Sequence, residues 1–183
     1  LRPVCMGWAT DWRAITPGAI FSMGEEPAAV MVFDVDQAPA SSFEAAGADI
    51  RRIADKNGLK DIIHVLDGVY GGHNDWVYER MGLHLQIPGY LSMYAAYVDG
   101  RPASIAWTYF PGRNFATLFG GTTLAEYRAR GLYTSLLRTR LKEIRERGYP
   151  FAVVEAGPMS RPIVAKHGFQ HLTTVYDYEW KGN

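Results

Sequence analysis

The stretch Arg128-Ala129-Arg130-Gly131-Leu132-Tyr133-Thr134 has the residue types and spacing of an anion cradle. The first turn of a helix leaves backbone N–H groups without intrahelical partners, and the helix macrodipole adds partial positive charge there. Gly131 lets the main chain come close to a ligand, and Arg128 and Arg130 add formal charge that holds an anion more strongly than the dipole alone. A diphosphate answers both demands. A solvated basic turn has the same composition, so the flanking elements must decide.

Upstream, Phe115 to Thr123 is rich in β-branched and aromatic residues suited to a buried strand, and the paired Gly120-Gly121 predict a bulge that splays it from its neighbour. Downstream, Leu132, Leu136, Leu137, Leu141 and Ile144 keep one apolar helical face through Arg147, with Gly148 as the C′ stop. The order is strand, loop, helix. Between Glu126 and Arg147 seven Arg or Lys face three Glu, while the whole chain has zero net charge, so the positive charge is local and is expected around the anion site.

Leu124 to Leu137 resembles the acyl-CoA-binding motif of the GNAT (GCN5-related) N-acetyltransferase superfamily, Arg/Gln-x-x-Gly-x-Gly/Ala after a strand. Tyr133 departs from the last motif position, and the Gly-Leu-Tyr-Thr found here resembles a variant carried by a subgroup of GNAT-like sequences. The element order resembles the family as well. Residues 48–54 alternate as a first strand, and Leu59, Ile62, Ile63, Leu66 and Val69 repeat at helical spacing. A second helix is predicted from Asp75 to about Gln86, with Asn74 or Asp75 as N-cap and Trp76, Val77, Met81 and Leu85 as its apolar contacts. Strands Tyr90 to Val98 and Pro102 to Phe110 are joined by Asp99-Gly100, a tight-hairpin dipeptide. Phe151 to Ala156 reads as a further strand, and Ser160 as the cap of a short helix with Pro162 in its first turn. That helix ends at His167-Gly168-Phe169, and a last strand pair runs from Gln170 to Trp180.

The resemblance covers roughly residues 46–183 and implies an α/β (α+β) fold: a mixed central sheet with helices on both faces and splayed strands at the cofactor site. Residues 1–45 are an N-terminal extension in which Ala28 to Val35 reads as an extra strand. Because the chain begins with Leu1, a truncated N-terminus is expected.

The resemblance also implies an activity: transfer of an acetyl group from acetyl-CoA to a primary amine by direct attack. The backbone amides of Arg128, Ala129, Arg130, Gly131, Leu132, Tyr133 and Thr134 would hold the pyrophosphate, and Gly121, Thr122 and Thr123 would pair with the pantetheine arm. The tyrosine that many relatives place ahead of the final Gly-Phe falls at Val164, which cannot donate a proton. Tyr133 is the substitute acid; packing against the adenine or pantetheine explains it equally. Glu155 is the base candidate, or a strand-edge carboxylate in a salt bridge. Asp75 is an acceptor-site candidate or an N-cap. Ser160 and Arg161 stand where many relatives carry Asn, and Arg161 is either a CoA-phosphate contact or an exposed first-turn residue. A catalytically silent acyl-CoA-binding or regulatory module is the alternative function.

Composition sets outer bounds. A chain of 183 residues, 48% hydrophobic, is of ordinary size for one catalytic domain. No apolar run reaches the length of a membrane span, and no signal-peptide pattern is present. The single cysteine, Cys5, excludes an internal disulfide framework and fits a reducing, cytoplasmic setting. The five histidines form no metal motif, so no metal is expected; His73, in a glycine-rich loop, is a candidate proton shuttle or an ordinary loop histidine. Trp8 and Trp12 could line a cleft or anchor packing. Neutral charge, with Glu143 and Glu146 interrupting the basic helix, argues against nucleic acid. The expected partners are a small-molecule or peptide amine and, in a homodimer, a second copy of the chain, with no membrane.

Overall fold

Period-two and helical patterning set most elements where the residues predict them, and the computed structural model describes residues 21–23, 27–44, 47–72 and 74–180. The strands are β1 Phe21–Met23, β2 Ala28–Asp34, β3 Asp49–Ile53, β4 Leu91–Val98, β5 Arg101–Tyr109, β6 Phe115–Thr123, β7 Phe151–Ala156, β8 Gln170–Val175 and β9 Tyr178–Trp180. The helices are α1 Leu59–Tyr70, α2 Gly82–His84, α3 Leu132–Glu146 and α4 Arg161–Lys166. Two units form: one is Phe33–Val153, the other combines the residues before and after it.

Within Phe33–Val153 the strands lie in the order β3-β4-β5-β6, each antiparallel to the next. Asp99 and Gly100 join β4 to β5 with φ of 49° and 74°, the doubly positive geometry of a tight hairpin. Successive side chains of a strand point to opposite faces. Met93, Ala95, Tyr97, Ile105 and Trp107 therefore pack against Leu59, Ile62, Val65 and Leu66 of α1, while Ala96 and Ala106 pack with Leu132 and Leu136 of α3; a register shift between Ala96 and Tyr97 leaves Ala103 as an extra residue of β5 and brings it to the α3 face as well. Helices cover both faces, as expected. α3 ends as its sequence predicts: Gly148 N–H donates to Arg145 O at 3.0 Å and Tyr149 N–H to Ile144 O at 3.1 Å, the paired bonds of a Schellman stop.

The segment after α1 departs from the predicted helix over 75–86. Val77–Met81 is a π-helical turn, closed by Gly82 N–H on Val77 O, and only Gly82–His84 is α-helical. The wider turn keeps Val77 and Met81 buried while Trp76 stays 41% exposed. Neither Asn74 nor Asp75 is the N-cap. Trp76 takes that place without a side-chain bond, because the Asn74 amide donates to Asp67 Oδ1 at 2.7 Å and its Oδ1 accepts from Trp76 Nε1 at 3.2 Å.

In the second unit, residues 28–32 of β2 pair antiparallel with β8, with a register shift between Val30 and Met31, and β1 pairs antiparallel with β9. The two last strands thus pair with N-terminal strands rather than with each other; the extension supplies the backbone groups that satisfy them. Ser160 precedes α4 without capping it. Its backbone is already helical, at φ −88° and ψ −28°, and its Oγ donates to Gly157 O at 3.3 Å.

Tyr97 ties β4 to α1 by donating its hydroxyl to Asp61 Oδ2, with Arg51 stacked 4.2 Å from its ring centroid. Burial, with the Asp61 carboxylate beside it, pushes Tyr97 up to about 12; burial, with Glu143 nearby, does the same for Tyr94. Both pKa values are raised on folding, so their contribution to stability is complete below about 10, the ordinary phenol value, and is lost as pH rises toward about 12. Denaturant melts between pH 9 and 12 should show this decline, shallower in Tyr97→Phe; an identical pH slope in that variant contradicts the assignment.

Candidate functional site

The anion loop and the glycine pair of β6 come together within Phe33–Val153. Across β5 and β6, Ile105 faces Thr122 but Trp107 faces Phe119, so β6 carries an extra residue at Gly120-Gly121. The bulge is where the sequence puts it. Gly120 has φ +61°, and the Trp107 ring fills the space its Cβ would take. A Cβ on Gly121 would meet the Tyr133 ring at 2.8 Å, so the first turn of α3 rests directly on the bulge.

Gly131 is the N-cap of the 15-residue α3, in the left-handed conformation at φ 77° and ψ 2°, and Ala129 also has positive φ, at 59°. Successive backbone turns of this kind point N–H groups into a common concavity. Among the described residues, no atom beyond its own chain neighbours lies within 4 Å of the Cβ position of Gly131, so the cradle is open on that side. Arg128 and Arg130 are exposed beside it. Arg128 Nε donates to Thr123 O at 3.3 Å, tying loop to strand end, and Arg130 lies 5.3 Å from the Tyr127 ring centroid. Ser104 Oγ donates to Thr122 O at 2.8 Å and lies 2.7 Å from Thr123 Oγ1. These contacts fix the strand end.

Charge is distributed differently from the expectation of a basic helix gathered around the loop. Arg138 donates to Glu44 O, Arg145 stacks on Phe43, Arg147 pairs with Glu143 at 2.7 Å, and Lys142 pairs with Glu146. Those contacts sit along α3 rather than at the cradle. Arg140 is the exception and went unpredicted. It is 2% exposed, with Nε on Leu136 O and Nη1 on Trp107 O and Phe119 O, each at 3.3 Å. Burial lowers its pKa to about 10, so it stays cationic at neutral pH beneath the bulge. A signal existed: Arg140 falls on the helical stripe of Leu136, Leu137 and Ile144.

The acid and base candidates sit in contrasting settings. Tyr133 is half-buried against Gly121, and burial raises its pKa while Arg140 opposes the rise, so the phenol keeps its proton at neutral pH. Glu155 is exposed on β7, Arg161 is exposed at the start of α4, and Val164 is fully buried. Asp75 is exposed; His73, Cys5, Trp8 and Trp12 lie outside the described residues. Among the described residues no cluster of His, Cys, Asp and Glu could hold a metal ion, and no helix is long and apolar enough to cross a membrane.

A second group has no counterpart in the sequence reading. His84 Nδ1 and Tyr109 Oη are 2.7 Å apart; Tyr90 meets His84 edge to face and Tyr109 at a tilt, and Phe119 meets Tyr109 edge to face with centroids 5.7 Å apart. Twenty-five residues separate His84 from Tyr109, so no local spacing could link them.

The family model described as an acetyltransferase (GNAT) domain matches residues 43–159, which span the bulge, the cradle and α3. The chain belongs to the GNAT acetyltransferase family. Solved structures of this fold agree. A GNAT-family putative acetyltransferase from Novosphingobium aromaticivorans is 20% identical at a TM-score of 0.66, covering 91% of this chain and 69% of that one. A GCN5-related N-acetyltransferase from Kribbella flavida is 15% identical at 0.64, covering 89% and 61%. The aminoglycoside N-acetyltransferase AAC(6')-Iy, in complex with CoA, is 22% identical at 0.58, covering 71% and 93%. No curated protein sequence matches the chain. The α/β architecture of this GNAT domain is therefore the expected one.

Proposed function

We propose that this GNAT domain transfers an acetyl group from acetyl-CoA to a primary amine. The observation that carries the reading is the open, left-handed Gly131 cradle at the head of α3, flanked by two exposed arginines and resting on the β6 bulge. The N–H groups from Ala129 to Thr134 hold the pyrophosphate, with Arg128 contributing its side-chain charge because its own N–H donates to Ala125 O at 3.3 Å, and Gly121 to Thr123 receive the pantetheine arm. Tyr133 marks the Gly-Leu-Tyr-Thr variant of the motif.

The amine nitrogen attacks the thioester carbon, the C–N bond forms and the C–S bond breaks. Positioning and electrostatics supply most of the acceleration. The buried Arg140 cation adds positive potential at the bulge, where the carbonyl oxygen gains charge. Tyr133 gives its proton to the leaving thiolate, and Glu155 takes the proton that the attacking nitrogen loses. Ser160 and Arg161 are proposed as further CoA contacts.

Thiol release from acetyl-CoA with a panel of alkylamines, peptides with free amino groups and aminoglycosides tests the reading. Amine-dependent release is expected with at least one class. Stabilisation by acetyl-CoA without release from any amine would instead favour a silent acyl-CoA-binding module, a reading that the buried Val164 at the usual tyrosine position keeps in view.

A further inference from the structure

An alkylammonium cannot attack a thioester until it loses a proton, since its nitrogen lone pair is occupied; its pKa is about 10, like that of a lysine side chain. The residues proposed so far serve the attack and the leaving group. The His84–Tyr109 pair lies on the α1 face of the sheet, next to the same bulge. Phe119, whose ring meets Tyr109 edge-on, immediately precedes Gly120.

We propose that Tyr109 and His84 form the proton relay that converts the acceptor ammonium to the reactive amine. The inference rests on the acyl-transfer reading above. The ammonium proton passes to Tyr109 Oη as the phenol proton passes to His84 Nδ1, leaving a neutral amine and an imidazolium. The imidazolium then returns its proton to solvent. No oxidant or further reactant is needed.

Three observations favour this direction. His84 Nδ1 and Tyr109 Oη lie at hydrogen-bond distance, 2.7 Å, and with the imidazole proton on Nε2 the phenol donates to Nδ1, while burial, with Tyr90 close by, raises the Tyr109 pKa so that the phenol holds its proton between turnovers. Tyr90, Tyr109 and Phe119 form an aromatic wall, with Phe119 40% exposed, and ring faces attract a cationic headgroup. Third, α2 follows the π-helical turn Val77–Met81, which sets His84 at the end of a short helix beside Tyr109. Among the described residues, Arg80 also acts on Tyr109, and its positive charge works against the phenol's raised pKa and favours transient loss of its proton.

The test compares the full chain with Tyr109→Phe and His84→Gln, using an alkylamine substrate from the panel and a weakly basic amine, hydroxylamine, that is already neutral at pH 7. Acetyl-CoA affinity, measured by calorimetry, should be unchanged in both variants. With the alkylamine, kcat/KM at pH 7 should fall about a hundredfold, within the range for general base catalysis, and the gap should close as pH approaches the amine's own pKa. With hydroxylamine the variants should match the parent. A structural role would lower both substrates equally at every pH, and that result, or an unchanged alkylamine profile, overturns the relay alone. If the parent protein acetylates no amine, acyl transfer itself fails and the relay falls with it.

Discussion

Gly120→Ala is expected to lower the melting temperature by about 5–15 °C, the largest stability change foreseen for a single added methyl in this domain. Two costs combine. At φ +61° an L-residue brings its Cβ against the backbone, at about 1–2 kcal/mol. The new methyl would also enter the volume of the Trp107 ring, and overpacking a core of this kind costs about 1–3 kcal/mol. Trp107 is 7% exposed between β5 and α1, so it cannot swing into solvent without opening a cavity. A second variant separates the terms. In the Trp107→Leu background Gly120→Ala should cost only the backbone part, so a double-mutant cycle read by calorimetry should show coupling of about 1–3 kcal/mol. A melting temperature unchanged by Gly120→Ala would mean that β6 does not bulge at this position.

That bulge also marks how far the sequence could be read. Paired glycines in an otherwise β-branched strand announced it, and the strand bounds Phe115–Thr123, the Asp99-Gly100 turn and the stop at Gly148 were legible for the same reason: each rests on local backbone preference. The partners of the bulge were not. Trp107 over Gly120 and Arg140 on the freed carbonyls are set by how β5, β6 and α3 stack, contacts between residues far apart in the chain. Arg140 enters the sequence reading only as one of seven cations expected around the anion site, since a charge on a helix is normally solvated, yet its stripe position is apolar. The Val77–Met81 turn escaped for a different reason. Valine and methionine four residues apart fit an α-helix and a π turn equally, and only the packing against α1 decides. His84 and Tyr109 had no sequence signal of any kind, whereas the cradle residues had a local one, and that difference makes the cradle the sharper place to test the cofactor site.

Gly131→Asp is expected to abolish acetyl-CoA binding while leaving the fold intact. The two effects separate because the position is forgiving to the protein and unforgiving to an anion. Gly131 sits at φ 77° with no atom of the described residues, its chain neighbours aside, within 4 Å of its Cβ position, and aspartate is among the residues that tolerate left-handed backbone best. The stability cost is therefore about 1 kcal/mol, a shift of a few degrees. A carboxylate in the same space stands about 4 Å from a bound phosphate, where like charges near a protein surface repel by about 4 kcal/mol. That alone is about a thousandfold in affinity, before the lost amide contacts are counted. Gly131→Ala adds the methyl without the charge and should lose far less, so the difference between the two variants isolates the electrostatic part. Raising ionic strength should narrow that difference, because the cradle is solvent-facing and its charges are screened over about 10 Å at 0.1 M salt. Calorimetric titration with acetyl-CoA on all three proteins is the measurement. Equal affinity in the parent and Gly131→Asp would remove the pyrophosphate from the head of α3 and, with it, the orientation that brings a thioester to the bulge.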